Sequence, residues 1–312
     1  MFAKQLIIIL TAFSLFCIPL QVYASSSIVI DANEQLEFAE HYFLIGEYVR
    51  AVDEYKRFIY FFPEDSRVEE TMYKIGMAYF SDQNFKEAIK AFEQILDKYQ
   101  DSAISLKSYF MISECQLRQH EFGPAITNLH NLITISDDPK IIDEAHYRLG
   151  WIYVETASWE EARSYFENIQ EQKKETYRLS EVYDALGKTN SIPRKNPATA
   201  GILSIIPGAG YLYCERYQDA LIAFLLNGGL ILAAYESFDN DLNALGAVIT
   251  FVEIGFYAGN IYGAVSSAHK YNRTNTQNFI DNIKENLKIQ IAARPVHDLR
   301  NTGITISFDY RF

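Results

Sequence analysis

The sequence predicts a mainly α fold: a solenoid of stacked helical hairpins, then a membrane helical hairpin and a short C-terminal β-strand. Three observations carry this. Four segments repeat one another at an interval of 37 residues, two long apolar stretches follow them, and residues Gly303 to Phe312 alternate apolar with polar side chains. Fixed-interval self-similarity marks units that bury their apolar faces only by stacking. Apolar runs of about 20 residues suffice to cross a bilayer as helices.

Residues 1–24 read as an export signal. Lys4 precedes an apolar run from Leu6 to Leu20, and Val22-Tyr23-Ala24 puts small residues at the two positions a signal peptidase inspects. Cys17 lacks the small residues of a lipoprotein box before it, so no lipid attachment is expected there. Cys115 and Cys214 lie in different regions and give no disulfide framework.

Residues 25–190 form the repeat region. Tyr48, Phe85, Phe122 and Trp159 stand in register, and three residues later so do Ala51, Ala88, Ala125 and Ala162. Each aromatic opens a helix whose apolar stripe continues through Tyr55, Phe92, Leu129 and Phe166, then Phe58, Ile95, Leu132 and Ile169. An upstream helix carries Ala39, Gly76, Ser113 and Gly150, followed by Tyr42, Tyr79, Gln116 and Tyr153. Small residues on both helices let the backbones approach while the rings pack between. A polar capping helix is expected near Thr176 to Leu186.

These columns resemble the tetratricopeptide repeat, whose pattern runs through Gly76, Tyr79, Ala88 and Phe92 and again through Gly150, Tyr153, Ala162 and Phe166. Pro63 supplies a helix-ending proline, while Ser113 and Gln116 depart from the pattern. Units longer than the usual 34 residues are similar in style to the repeat lipoprotein of the bacterial β-barrel assembly machine. The resemblance implies a concave surface lined by first helices that takes a protein partner. Tyr73, Met77, Phe80, Phe110, Tyr147 and Trp151 would face that groove, with Glu40, Glu114 and Glu144 nearby. Rings with few rotatable bonds make good anchors for a peptide. The same rings also suit the filling of space between hairpins.

Residues 191–270 form the membrane region. Pro193 and Pro197 bracket Arg194 and Lys195, after which the charge density collapses over Ala220 to Tyr235 and Leu242 to Ala268. Before them, Ala198 to Tyr213 is interrupted at Pro207, Gly208 and Gly210, which predicts a bent or re-entrant approach. Ile206 to Tyr213 resembles the proline-glycine motif of small bacterial membrane domains, with Tyr211 where those domains commonly carry Gln. Gly255, Gly259, Gly263 and Ser267 recur every fourth residue, a strip on which another helix packs closely. Its partner is either the preceding helix, through Asn227, Gly228 and Gly229, or a second copy of the chain in a homo-oligomer. Glu253 and Asn260 lie in the same stretch, where polar groups need partners.

Basic residues flank this region on both sides and its connecting loop, Glu236 to Asp241, is acidic, so loop charge places both flanks in the cytoplasm. The export signal places the repeats outside, and a crossing at Ala198 to Tyr213 would reconcile the repeats with a cytoplasmic tail. Residues 271–312 hold an amphipathic segment and the terminal strand, in which Ile304, Ile306, Phe308, Tyr310 and Phe312 share one face. That strand resembles the sorting strand of outer-membrane β-barrels.

Charge and chemistry narrow the function. Ser25 to Asn190 holds 30 acidic and 17 basic side chains, against ten of each from Ser191 onward. An acidic repeat region disfavours nucleic acid. The six histidines are scattered, with no metal-ligand spacing, phosphate loop or nucleophile elbow, so neither enzyme, cofactor nor metal is expected. The expected role is a cell-envelope scaffold, with repeats in the periplasm, that binds protein partners and is anchored by its membrane helices. Outer-membrane biogenesis or export, and a small transporter-like domain using Glu253 and Asn260, are the alternatives.

Overall fold

The computed structural model describes residues 30–100 and 102–292. The expected export signal and the expected strand lie outside the described residues. The chain divides into two compact units, Met1–Gln119 and His120–Phe312.

The first unit holds α1 (Ala32–Leu44), α2 (Tyr48–Phe61), α3 (Val68–Ser81), α4 (Phe85–Lys98) and α5 (Ala103–Arg118). Asp31 caps α1 by accepting from the Asn33 and Glu34 amides, and Glu34 reaches back to the Asp31 amide in a capping box. Ser102 caps α5 through a 2.9 Å bond from the Ser105 amide. Tyr48 and Phe85 are the first residues of α2 and α4, as their columns predict. Ala51, Tyr55, Ala88, Phe92 and Ile95 are fully buried. Gly76 is needed because a Cβ there would overlap the Phe92 ring.

The second unit begins with α6 (Phe122–Ile135), α7 (Pro139–Glu155) and α8 (Trp159–Glu167), again opened by the aromatic column. Gly150 meets Phe166 as Gly76 meets Phe92. A short α9 (Glu171–Lys174) and α10 (Leu179–Leu186) follow. The capping helix starts later than its expected Thr176, because Arg178 takes a left-handed φ of 55° that no α-helix accommodates.

One turn closes every repeat. Gly46, Gln83, His120 and Ala157, 37 residues apart, all have φ between 57° and 81°. In the first, second and fourth, the next amide reaches back to the end of the preceding helix: Glu47 to Tyr42, Asn84 to Tyr79, Ser158 to Tyr153.

Beyond the repeats run α11 (Pro197–Leu203), α12 (Ala209–Tyr213), α13 (Tyr217–Asp239) and α14 (Asn243–Ala292). The same turn recurs at Glu215, with φ 63° and Arg216 bonded back to Tyr211. Gly208, Tyr211, Tyr217, Ala220 and Phe224 stand around it at the offsets that Gly150, Tyr153, Trp159, Ala162 and Phe166 hold around Ala157. Gly208 also lies against Ala220 and Phe224. A fifth, shortened hairpin of the repeat type therefore leads into the apolar region. Its first helix has five residues, and α11 has seven. At about 1.5 Å per residue neither approaches the ~30 Å of a bilayer core, so Ala198 to Tyr213 supplies no extra crossing.

Helices α13 and α14 are each long and apolar enough to cross a membrane. Their packing is inverted relative to a water-soluble pair. Buried positions are small or polar: Ala220, Ala223, Asn227, Ala234 and Ser237 on α13, and Glu253, Asn260, Ala264 and Ser267 on α14. Large apolar side chains point away, with Leu225 61 %, Leu232 69 % and Phe251 79 % exposed. After Ala268, α14 continues without a break into the fourth repeat. Ile280 is buried there with Val154, Phe166 and Leu179, Phe279 packs on Trp159 at 5.8 Å, and Lys284 pairs with Glu155.

Candidate functional site

In the first unit, Tyr73, Met77 and Phe80 lie on successive turns of α3 and are half-buried. Tyr73 sits 5.4 Å from the Phe92 ring and Phe80 5.7 Å from Phe85, so each has one face in the core around Ala88 and Ile95. Phe110, on α5, is likewise half-buried. In the second unit, Tyr147 and Trp151 on α7 flank Phe166 at 5.9 and 6.0 Å. The five rings and the one thioether thus divide between two units, and each is half-buried.

Sequence reasoning missed Tyr177. It stacks on Tyr147 at 4.4 Å and donates a 3.1 Å hydrogen bond to Glu144, covering part of the expected anchor. No column signals it, because it follows the last repeat. The acids beside the rings are matched by bases: Glu40 with Lys74, Glu114 with Arg118 at 2.9 Å, and Glu144 with Arg148 at 2.8 Å. Their local charge is therefore largely cancelled.

The membrane-region residues converge in one junction. Asn260 accepts from the Gly208 amide at 3.1 Å and donates to the Ser204 carbonyl at 2.9 Å, tying α14 to the Pro207 turn. Gly210 lies against Ala264 and the Ala200 carbonyl, and Gly263 against the Tyr211 hydroxyl. A side chain at Gly210 would part the helices, and one at Gly263 would displace the Tyr211 ring. Gly255 and Gly259 do not join them, nor do Gly228 and Gly229, since a Cβ at each would meet open space. Both Glu253 carboxyl oxygens and the Asn227 side-chain Oδ1 are buried without a hydrogen-bond partner.

Two recesses stand apart from these residues. One, of about 390 Å³ in the first unit, is lined by Lys56, Met72, Tyr79, Lys90 and Lys98. The other, of about 290 Å³ in the second unit, is walled by Arg194, Asn272, Arg273, Thr276 and Gln277 beside the fourth repeat's turn. Among the described residues, no three His, Cys, Asp or Glu side chains are placed to hold a metal ion.

Residues 70–102 and 144–172 match the family described as Tetratricopeptide repeat. These two segments are tetratricopeptide repeats. Such stacked hairpins are modules for protein–protein interaction. No curated protein matches the chain. Among solved structures, a tetratricopeptide repeat protein from Parabacteroides merdae is similar at 15% identity and TM-score 0.41, over 81% of this chain and 98% of its own. MamA is similar at 20% identity and TM-score 0.38, over 48% and 82%. A Rap protein complexed with competence and sporulation factor is similar at 14% identity and TM-score 0.37, over 83% and 76%.

Proposed function

We propose that this protein is a non-enzymatic scaffold of the bacterial cell envelope, whose tetratricopeptide repeats bind protein partners and whose α13–α14 hairpin anchors it in a membrane. The observation that carries the reading is the inverted hairpin. Large apolar side chains outside and Asn227, Glu253 and Asn260 inside is the arrangement that lipid favours and water opposes. The export reading of residues 1–24 supports repeats on the periplasmic side.

Membrane fractions washed with alkaline carbonate test the anchor. The chain is expected to stay in the pellet, and to be released when residues 217–268 are deleted; release of the intact chain would end the reading. For the repeats, Phe110→Ala with Trp151→Ala is expected to abolish capture of the partner while circular dichroism stays unchanged. Lost helicity would instead assign those rings to the core.

One observation favours a second reading. Buried carboxyl oxygens without partners in an apolar hairpin suit a transporter-like domain built around Glu253, with the repeats as its docking module. Unaltered ion flux by Glu253→Gln in reconstituted vesicles would leave that carboxyl no transport role.

A further inference from the structure

The recess of the second unit lies between Arg194, on the segment entering the apolar region, and Arg273 and Thr276, on α14 as it leaves. Neither arginine has an ion-pair partner among the described residues. Glu155, the one acid in the wall, is already paired with Lys284. Nearby Lys195 is held by Glu215 at 3.0 Å and lies over the Tyr213 and Tyr271 rings at 5.0 and 5.2 Å. Asn272 fixes that segment by bonding both the amide and the carbonyl of Lys195, at 2.7 and 2.9 Å. Two guanidinium groups with hydroxyl and amide neighbours, on a pinned backbone, make a receptor for a phosphate group.

Depth identifies the source of that phosphate. The apolar run of α14 ends at Ala268, and Arg273 follows five residues later, about 7.5 Å along the helix axis. A bilayer's headgroup layer is roughly 5 to 8 Å thick on each side of its ~30 Å core. Tyr213, Tyr217 and Tyr271 sit at the same end, as interfacial aromatic side chains do. The opposite end of the hairpin carries Glu236, Asp239 and Asp241, which repel an anion.

Building on the membrane-anchor reading, we propose that this recess binds the phosphate of an anionic phospholipid headgroup through Arg194 and Arg273. The cavity, about 290 Å³, is large enough for a phosphoglycerol group.

The test uses the full chain in nanodiscs of equal phosphatidylcholine and phosphatidylglycerol, with mass spectrometry of the lipids retained after detergent extraction. Phosphatidylglycerol should be enriched, and the enrichment should fall about fivefold for each arginine removed in Arg194→Gln and Arg273→Gln. Lys188→Gln should leave it unchanged. Equal retention of both lipids, or enrichment that survives the double substitution, overturns the proposal. A companion titration with inorganic phosphate separates the sources: arginine-dependent phosphate binding without lipid enrichment assigns the cavity to a free anion and also overturns it. Failure of the chain to enter nanodiscs, visible before any lipid is measured, overturns the anchor reading and this site with it. Both arginines are exposed, so the variants should keep wild-type circular dichroism.

Discussion

Gly76 lies so close to Phe92 that a methyl group in place of its hydrogen would overlap three ring carbons. Phe92 is fully buried and has nowhere to withdraw. Gly76→Ala gains about 1 kcal/mol of helix propensity but forces overpacking that costs about 1 to 3 kcal/mol. A net loss is expected as a lower urea midpoint, partly recovered by Phe92→Leu. The third repeat already combines the larger Ser113 with Leu129 in these columns.

Ala157 occupies the left-handed turn that Gly46 fills without strain. Ala157→Gly should stabilise the fold by roughly 1 kcal/mol, and Gly46→Ala should destabilise it by a similar amount. A Cβ on Gly46 meets open space, so thermal melts of that variant read the backbone penalty alone. Unchanged melting temperatures in both would contradict the shared-turn account.

Burial lowers the pKa of His146 from its ordinary 6.5, against the pull of nearby Asp143 in the other direction. Above about pH 6.5 both folded and unfolded chains hold it neutral, and the stability is complete. As the pH falls below that value the unfolded chain takes up a proton that the fold resists, so stability declines toward the lower folded pKa. Denaturant midpoints between pH 7.5 and 5.5 should drop in the wild type and drop less in His146→Leu.

Cys115 is fully buried, and burial pushes its thiol up to about 12. The reactive thiolate is thus scarce at neutral pH. Peptide-resolved mass spectrometry after iodoacetamide should find Cys115 unmodified in the folded chain and fully alkylated in urea. Rapid native labelling would show that the first unit opens far more readily than its packing implies.

Ile280 joins α14 to the core of the fourth repeat, with 1 % of its surface exposed. Ile280→Ala should cost roughly 2 to 4 kcal/mol of local stability. Hydrogen exchange is expected to accelerate in residues 276–287 while amides of the apolar hairpin stay protected. Equal acceleration in both would mean that the two parts of the helix unfold together.

Repeating columns made the solenoid legible, because a period sampled four times averages out local departures such as Gln116. The fifth hairpin escaped that test. Gly208 to Phe224 keeps the offsets but follows the fourth unit by 58 residues rather than 37, and its membrane-like composition hides the pattern. Arg178 shows a second limit: nothing in its side chain announces a left-handed backbone, although that side chain bonds Glu181 and the Leu287 carbonyl. At the candidate site, sequence periodicity chose the half-buried rings but not Tyr177, whose position depends on a fold-back after the last repeat. The glycine strip was legible as a strip, whereas only the packing separates Gly263 from Gly255 and Gly259.

Helix α14 is unbroken for 50 residues, about 75 Å at the usual rise, and it behaves as a crankshaft rather than a tether. One added residue between Ala268 and Phe279 would turn the exposed apolar side of the hairpin by about 100° relative to the fourth repeat, while four would nearly restore the phase. Angular register, not linker reach, would then decide which side of that repeat a partner approaches.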